Sequence, residues 1–359
     1  MDNLVLSNIF YRKMRTFTTA AGVALGVVLV VLTVGLVHGF LNEQGRRNSA
    51  ITAEIVFNPP GSSILNISPI LSVNQETLNR IRAIEGVSEV VGIGQLQRGG
   101  RVIDGIDYAA YTKVSGMRVV EGREVQSGNE VMVDRVAQRE RKLKVGDEVD
   151  LLDRKFRVVG FYEPESFGRL KIPITTLQDY QNRPNLYSRV LIKVNDPAQQ
   201  ADIARQIKAS FPESEVLLTR DLPILYAQGT PAMQTFLNVV ITLAIVISSL
   251  VILLAMYTTV TERTRQIGIL KSLGASKGWI ALQIETEALL ISLIGVLAGF
   301  ALAIIGRLLI LRWATVTIEL EGRWFLYALL LGILAGVLGA LYPALRAANQ
   351  DPVKALSYE

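Results

Sequence analysis

Four long apolar stretches, at residues 20–41, 235–257, 285–313 and 324–343, constrain this chain more than any other feature. A helix needs about 20 largely apolar residues to cross about 30 Å of hydrocarbon. The first, second and fourth stretches carry no Asp, Glu, Lys or Arg, and the third opens on Glu285 and Glu287 before its long apolar run. Soluble domains rarely bury four such runs. The expected fold is therefore an integral membrane α-helical protein with four transmembrane helices. Between helices one and two lies a polar insert of about 190 residues, read as a mixed α/β extracytoplasmic domain.

A signal peptide is a rival for the first stretch, because Arg12, Lys13 and Arg15 precede it. Its apolar part is too long for that role and lacks a small-x-small cleavage site, which favours an uncleaved anchor. The same three cations oppose only Asp2, and the 258–284 connection carries Arg263, Arg265, Lys271 and Lys277 against Glu262. Short basic loops of this kind face the cytoplasm. The insert at 42–230 is nearly balanced, with 25 basic and 24 acidic residues, so the formal charge of +5 arises largely from these flanks. The excess thus reports membrane topology and gives no reason to expect a nucleic-acid partner.

The chain is expected to divide into nine segments. A cytoplasmic amphipathic segment covers 1–19, the first span 20–41, and the extracytoplasmic domain with its stalk extensions 42–234. The second span covers 235–257, a cytoplasmic connection 258–284 and the third span 285–313. A short outer loop at 314–323, a fourth span at 324–343 and a cytoplasmic tail at 344–359 complete it.

There is no cysteine, so the insert must be held by its own core, and thiolate metal sites are excluded. The single histidine, His38, lies near the end of the first span and reads as an interfacial or packing residue. Asp147, Glu148, Asp150 and Asp153 are acidic at nearly alternate positions, but such residues on strands usually face water, and basic residues are close by.

Within the insert, 73–84 fits an amphipathic helix with Leu78, Ile81 and Ile84 on one side and Gly86 closing it. Strands are expected in 52–72, 87–93 and 101–106. A strand–helix–strand–strand run follows over 129–163, with turns at Gly146-Asp147 and Asp153-Arg154. A short helix at 172–181, a strand at 188–194, a helix at 197–210 and a strand at 215–219 complete the pattern. Two lobes are expected, one from both ends of the insert and a strand-rich one from its middle, divided near 110 and 170. The stretches 41–50 and 221–234 read as helical extensions or as linkers, with Pro223 and Pro231 opposing one straight helix.

The connection at 261–290 holds a short basic amphipathic helix, with Ile267, Leu270 and Leu273 grouped and Arg263 and Lys271 elsewhere. Gly274 is a natural stop, and Ser276 can cap the next helix. Pattern alone leaves two readings open: an element that takes force from a cytoplasmic partner, or an interfacial helix resting on headgroups. Glycines four apart, at Gly22/Gly26, Gly295/Gly299 and Gly332/Gly336, permit close helix approach, within one chain or between two.

Three passages resemble the permease subunit of the MacB/FtsX/LolC-type ABC transporter superfamily. They are NIFYRKMRTFTTAAGVALGV at the N-terminus, ERTRQIGILKSLGAS at 262–276 and YPALRAANQDPVKAL at 342–356. The resemblance implies paired permeases, a second copy or a close homologue, working with two cytoplasmic ATPase subunits. It implies that 262–276 is the coupling element, with Glu262, Arg263 and Arg265 at its start, Ile267, Ile269, Leu270 and Leu273 as apolar positions and Gly274 ending it. Glu262, Arg263 and Arg265 could instead serve membrane orientation.

No G-x-x-x-x-G-K-[ST] phosphate loop occurs in this sequence; GQLQRGG at 94–100 and GILKSLGAS at 268–276 lack its ending. The expectation is that no cofactor is bound by this chain, and that ATP and Mg are held by a separate ATPase. The expected function is export or extraction of an amphiphile such as a drug, glycolipid or lipoprotein from a bacterial inner membrane, with a periplasmic adaptor and both termini cytoplasmic. Alternatives are an FtsX-like regulator of a cell-wall hydrolase and a membrane receptor or scaffold.

Overall fold

The computed structural model describes residues 13–63, 70–313, 318–352 and 355. The expected features at 1–12, 64–69, 314–317, 353–354 and 356–359 lie outside the described residues. The chain divides into two compact units, residues 1–40 with 231–359, and residues 41–230.

The first unit is helical. Helices α1 (Lys13–Ser49), α8 (Pro231–Glu262), α10 (Lys277–Trp313) and α11 (Gly322–Asn349) are each long and apolar enough to cross a membrane. They run past the apolar stretches because the helical pattern continues into polar sequence: α1 alone spans about 55 Å at 1.5 Å per residue. The expected four-helix membrane architecture is what the chain adopts. All three glycine pairs are used inside this one chain. A Cβ at Gly295 would lie 2.7 Å from Val23 Cβ, and one at Gly299 2.7 Å from Val27 Cβ, so α10 meets α1 there. Gly22 faces Val251 and Gly26 faces Ser248 on α8, while Gly332 faces Val296 and Gly336 faces Ser292 on α10. Ser292 also donates to the Gly332 carbonyl at 2.6 Å. His38 packs on Trp324, ring centroids 4.7 Å apart, with Nδ1 3.0 Å from the Val34 carbonyl.

The second unit is a ten-stranded mixed sheet with helices against it. Its strands are β1 (Ile55–Asn58), β2 (Val87–Arg98), β3 (Arg101–Ile106), β4 (Arg118–Gly122) and β5 (Glu130–Asp134). They continue with β6 (Glu148–Leu151), β7 (Arg154–Glu163), β8 (Leu170–Pro173), β9 (Arg189–Val194) and β10 (Glu215–Leu218). Their order is β10-β1-β9-β2-β3-β8-β5-β7-β4, with β6 on β7. Strands β1, β2, β9 and β10 come from the two ends of the insert, and the middle supplies the rest. The two expected lobes are thus present, but β3 belongs to the middle one, and the division falls near 100 rather than 110. The lobes share one hydrogen-bonded path through the β2–β3 hairpin. Its two turn residues, Gly99 and Gly100, have φ of 57° and 73°, as a type I′ turn requires.

Alternation assigns the faces. Ile55, Phe57, Val90, Val190 and Ile192 lie under α2 (Gln75–Arg82) and α6 (Gln200–Ser210), against Leu78, Ile81, Ile203 and Ile207. Val56, Val91, Ile93 and Leu191 turn to the other side, toward α3 (Tyr108–Ser115) and α7 (Leu222–Gln228). Helices α4 (Arg135–Arg141) and α5 (Ile174–Tyr180) complete the unit. Side chains cap the starts: Asn74 accepts from Thr77 N at 2.9 Å, Asp107 from Ala110 N at 3.0 Å and Asp134 from Ala137 N at 2.6 Å. Of the four acids at 147, 148, 150 and 153, Glu148 pairs with Lys155 at 3.0 Å, Asp153 with Arg98 at 2.7 Å, and Asp147 accepts from Lys144 N at 2.8 Å.

The stretch at 41–49 is helical to Ser49 as the end of α1. The stretch at 221–234 is broken: α7 ends at Gln228 with Gly229 capping it, and Pro231 opens α8 at a position where its missing N–H is not needed. The two extensions cross. A Cβ at Gly45 would lie 2.9 Å from Pro223 Cα, Asn48 donates to the Tyr226 hydroxyl, and Arg47 donates to the Phe167 carbonyl at 3.3 Å.

The core of the unit holds one fully buried ion pair, Lys171 Nζ to Asp104 Oδ2 at 2.6 Å. Lys171 also donates to the Ser166 carbonyl at 2.7 Å, and Asp104 accepts from Gln95 Nε2 and Gly168 N, both at 2.9 Å. Burial works against the Lys171 ammonium, but Asp104 and Tyr111 together outweigh it and hold the group above its ordinary value. Removing one partner of such a pair strands the other charge. Lys171→Met is expected to destabilise the protein by about 3–5 kcal/mol, and Lys171→Met combined with Asp104→Leu to recover a large part of that. Thermal unfolding of the two variants checks it; equal loss in both would contradict the account.

Candidate functional site

The connection between α8 and α10 is helix α9 (Thr264–Ser272). Helix α8 stops at Glu262, and Arg263, with φ −106° and ψ 16°, turns the chain into α9. At the other end the Gly274 N–H reaches the Lys271 carbonyl at 3.1 Å, and the Ala275 N–H the Leu270 carbonyl at 3.0 Å. That paired closure needs a left-handed residue, and Gly274 supplies it with φ 96°. Ser276 Oγ then accepts from Trp279 N at 3.2 Å, opening α10.

The helix has two unlike faces. Thr264, Ile267 and Gly268 are buried, and Ile267 is only 7% exposed. Arg265, Ile269, Leu270 and Leu273 face outward, Leu273 at 79% exposure. The expected grouping of Ile267 with Leu270 and Leu273 is therefore corrected. Burial separates them: Ile267 lies inside with Thr264 and Gly268, whereas Leu270, about 60° away around the helix, and Leu273 are exposed. Ile267 supports the element from inside, and the outward apolar positions are Ile269, Leu270 and Leu273.

The inner face is seated on the C-terminal end of α11. A Cβ at Gly268 would lie 2.8 Å from Ala355 Cβ, so only glycine lets the two segments approach this closely. Lys271 Nζ donates to the Ala348 carbonyl at 2.9 Å and to the Gln350 carbonyl, both of which the ending helix leaves without intrahelical partners. Gln350 Nε2 returns a hydrogen bond to Thr264 Oγ1 at 3.2 Å. The two motifs at 262–276 and 342–356 are thus parts of a single structural unit.

An ionic joint anchors the start of α9. Glu287 on α10 is buried; its Oε2 accepts from Arg263 Nη1 at 3.1 Å, and its Oε1 lies 3.7 Å from Arg15 Nη2. Arg15 on α1 also donates to Glu262 at 3.4 Å. Three helices and the entry to α9 meet in these four side chains. Sequence reasoning assigned Glu262 and Arg263 to the start of this element but gave Glu287, Gly268, Lys271 and Gln350 no part in holding it. The available signal was Glu287 itself: a carboxylate entering an apolar run requires a cation, and Arg15 and Arg263 flank neighbouring spans. In chemical terms the arrangement presents three exposed aliphatic side chains beside Arg265 on a helix fixed from behind.

Residues 16–210 match the family described as the MacB-like periplasmic core domain, and residues 238–352 match the FtsX-like permease C-terminal domain. The chain is 22% identical to the uncharacterized ABC transporter permease YknZ of Bacillus subtilis (strain 168), over 99% of this chain and 98% of that protein. It is 26% identical to the macrolide export ATP-binding/permease protein MacB 2 of Aeromonas hydrophila subsp. hydrophila, over 99% of this chain but 60% of that protein. It is also similar to the crystal structure of the periplasmic region of MacB from Actinobacillus actinomycetemcomitans, at 16% identity over 50% of this chain and 96% of that one, with a TM-score of 0.37. Matched by the periplasmic core domain over more than half its length and by the permease domain over most of the rest, the chain belongs to the MacB/FtsX family of ABC transporter permeases, membrane proteins with an extracytoplasmic domain after the first of four spans.

Proposed function

We propose that this permease converts ATP hydrolysis by a separate cytoplasmic ATPase into movement of its extracytoplasmic domain, and that the output is export or extraction of an amphiphilic substrate. One observation carries the reading: Ile269, Leu270 and Leu273 are exposed together on a helix whose opposite face is locked to the C-terminal end of α11. A helix merely resting on headgroups has no need of that backing, whereas a helix that receives force does. In this reading α9 and both termini are cytoplasmic, and two permeases, this chain twice or with a close homologue, stand on two ATPases that hold ATP and Mg. Force on α9 passes through Glu287 and Arg15 to α1, whose last turns belong to the outer unit. A periplasmic adaptor completes the export path.

The match of 238–352 to the FtsX-like permease domain supports a second reading, in which the same movement activates a cell-wall hydrolase. Copurification from native membranes separates the two, since a bound hydrolase points to the second and a bound adaptor with an amphiphile to the first.

Two outcomes are expected. Ile269→Asp and Leu270→Asp should each reduce ATPase copurification at least about tenfold while permease abundance holds, because a charge buried at an apolar contact without a partner is costly. Normal complex formation with undiminished transport in both variants would defeat the assignment of α9.

The joint yields the second outcome. Glu287→Leu leaves two arginines without their shared carboxylate and should cost about 1–3 kcal/mol in stability. The exchanged pair Arg263→Glu with Glu287→Arg should regain part of both the melting temperature and the transport obtained per ATP hydrolysed. A joint without mechanical role would show the first recovery and not the second.

A further inference from the structure

A cleft of about 380 Å³ opens on the outer unit, lined by Arg46, Arg118, Arg135, Arg139, Glu163 and Glu165. Arg135 and Arg139 are one turn apart on α4, Arg118 opens β4, and Arg46 stands near the end of α1. Four guanidinium groups and two carboxylates line it, and Glu43 and Glu121 pair with Arg46 and Arg135 from beside the lining.

The carboxylates do not engage the four equally. Arg46 is held by Glu43 at 2.8 and 3.0 Å and lies 3.6 Å from Glu165. Arg135 lies 3.5 Å from Glu121 and 3.6 Å from Glu163. Arg118 is 78% exposed, and its one carboxylate neighbour, Glu163, is 3.8 Å away. Arg139 is exposed and makes no ion pair among the described residues. Two guanidinium forks, those of Arg118 and Arg139, are therefore open on the cleft while the other two are fixed in its wall. Such forks match phosphate oxygens, which can be bound in place of the long contact from Arg118 to Glu163.

The location narrows the source of that phosphate. Arg46 is five residues beyond the end of the first apolar stretch on the same continuous helix, about 8 Å of rise. A group at that height is within reach of headgroups at the outer membrane surface. We propose that this cleft binds the phosphate of an anionic amphiphile's headgroup, with Arg118 and Arg139 as the recognising residues. The proposal rests on the reading of the substrate as an amphiphile, but binding is measured without ATPase or turnover, so the two can fail separately.

The test uses the full-length permease in phosphatidylcholine nanodiscs, titrated with dihexanoyl phosphatidic acid. Arg118→Ala with Arg139→Ala should weaken binding at least about tenfold with an unchanged melting temperature, since both side chains are exposed. The double Lys variant should lose less than the double Ala variant, keeping charge without the fork. The pair Arg205→Ala with Arg220→Ala, elsewhere on the outer unit, should change nothing. Unaltered affinity in the Arg118/Arg139 variant, or an equal loss in the control pair, would overturn the site. Competition by inorganic phosphate at concentrations no higher than the lipid would overturn the headgroup assignment in favour of free phosphate. Tighter binding of a polyglutamate peptide would overturn it in favour of an acidic segment of a protein partner.

Discussion

Helices inside hydrocarbon gain nothing from excluding water, so what draws them together is close backbone approach. In this protein that approach is made at glycines. Gly295 and Gly299 let α10 lie against Val23 and Val27 of α1, and Gly339 brings α11 to within a hypothetical 2.8 Å of Ile252 Cβ on α8. These contacts set the register of four long helices, and the polar features depend on that register. Glu287 meets Arg263 and Arg15 only if α10, α8 and α1 are correctly aligned. Lys271 reaches the Ala348 carbonyl only if α11 ends level with α9.

The consequence for mechanism is that α9 is not a free loop. Its inner face is part of the membrane unit's core, with Ile267 among Met256, Val260, Ile280 and Ala347, while its outer face is apolar and open. A push on an element of this kind is delivered to the helices behind it rather than absorbed by bending. The ionic joint adds direction, because Arg15 and Arg263 share one carboxylate and displacement of either is felt by the other.

Much of this was legible in the sequence, for identifiable reasons. Long apolar runs are a strong signal because hydrocarbon leaves a backbone few options. Within the outer unit, the helices with clear 3.6-residue periodicity and the strands with alternating apolar residues were found. Three elements were not. Helix α3, YAAYTKVS, lacks the separation of charged from apolar residues that marks α2 at the same length, although Asp107 and Gly116 mark its two ends. Strand β4 is an exposed edge, RVVEG, with little apolar content to announce it. Strand β8, LKIP, contains a lysine that looks unfit for a core until its partner Asp104, 67 positions away, is known. The same blindness to distant partners hid the roles of Gly268 and Lys271 on α9, whose neighbours lie about 80 residues on. It also left undecided whether the glycine pairs served one chain or two.

The crossing at Gly45 has a geometric consequence of its own. The outer unit is entered through the last turns of α1 and left through α7, and these are clasped at a single point by Pro223, Tyr226 and Asn48. A side chain at Gly45 would meet the Pro223 backbone, so any residue larger than glycine there wedges the two segments apart and pulls Asn48 from the Tyr226 hydroxyl. The first and last segments of the outer unit are thus fastened to each other by the absence of a single methyl group.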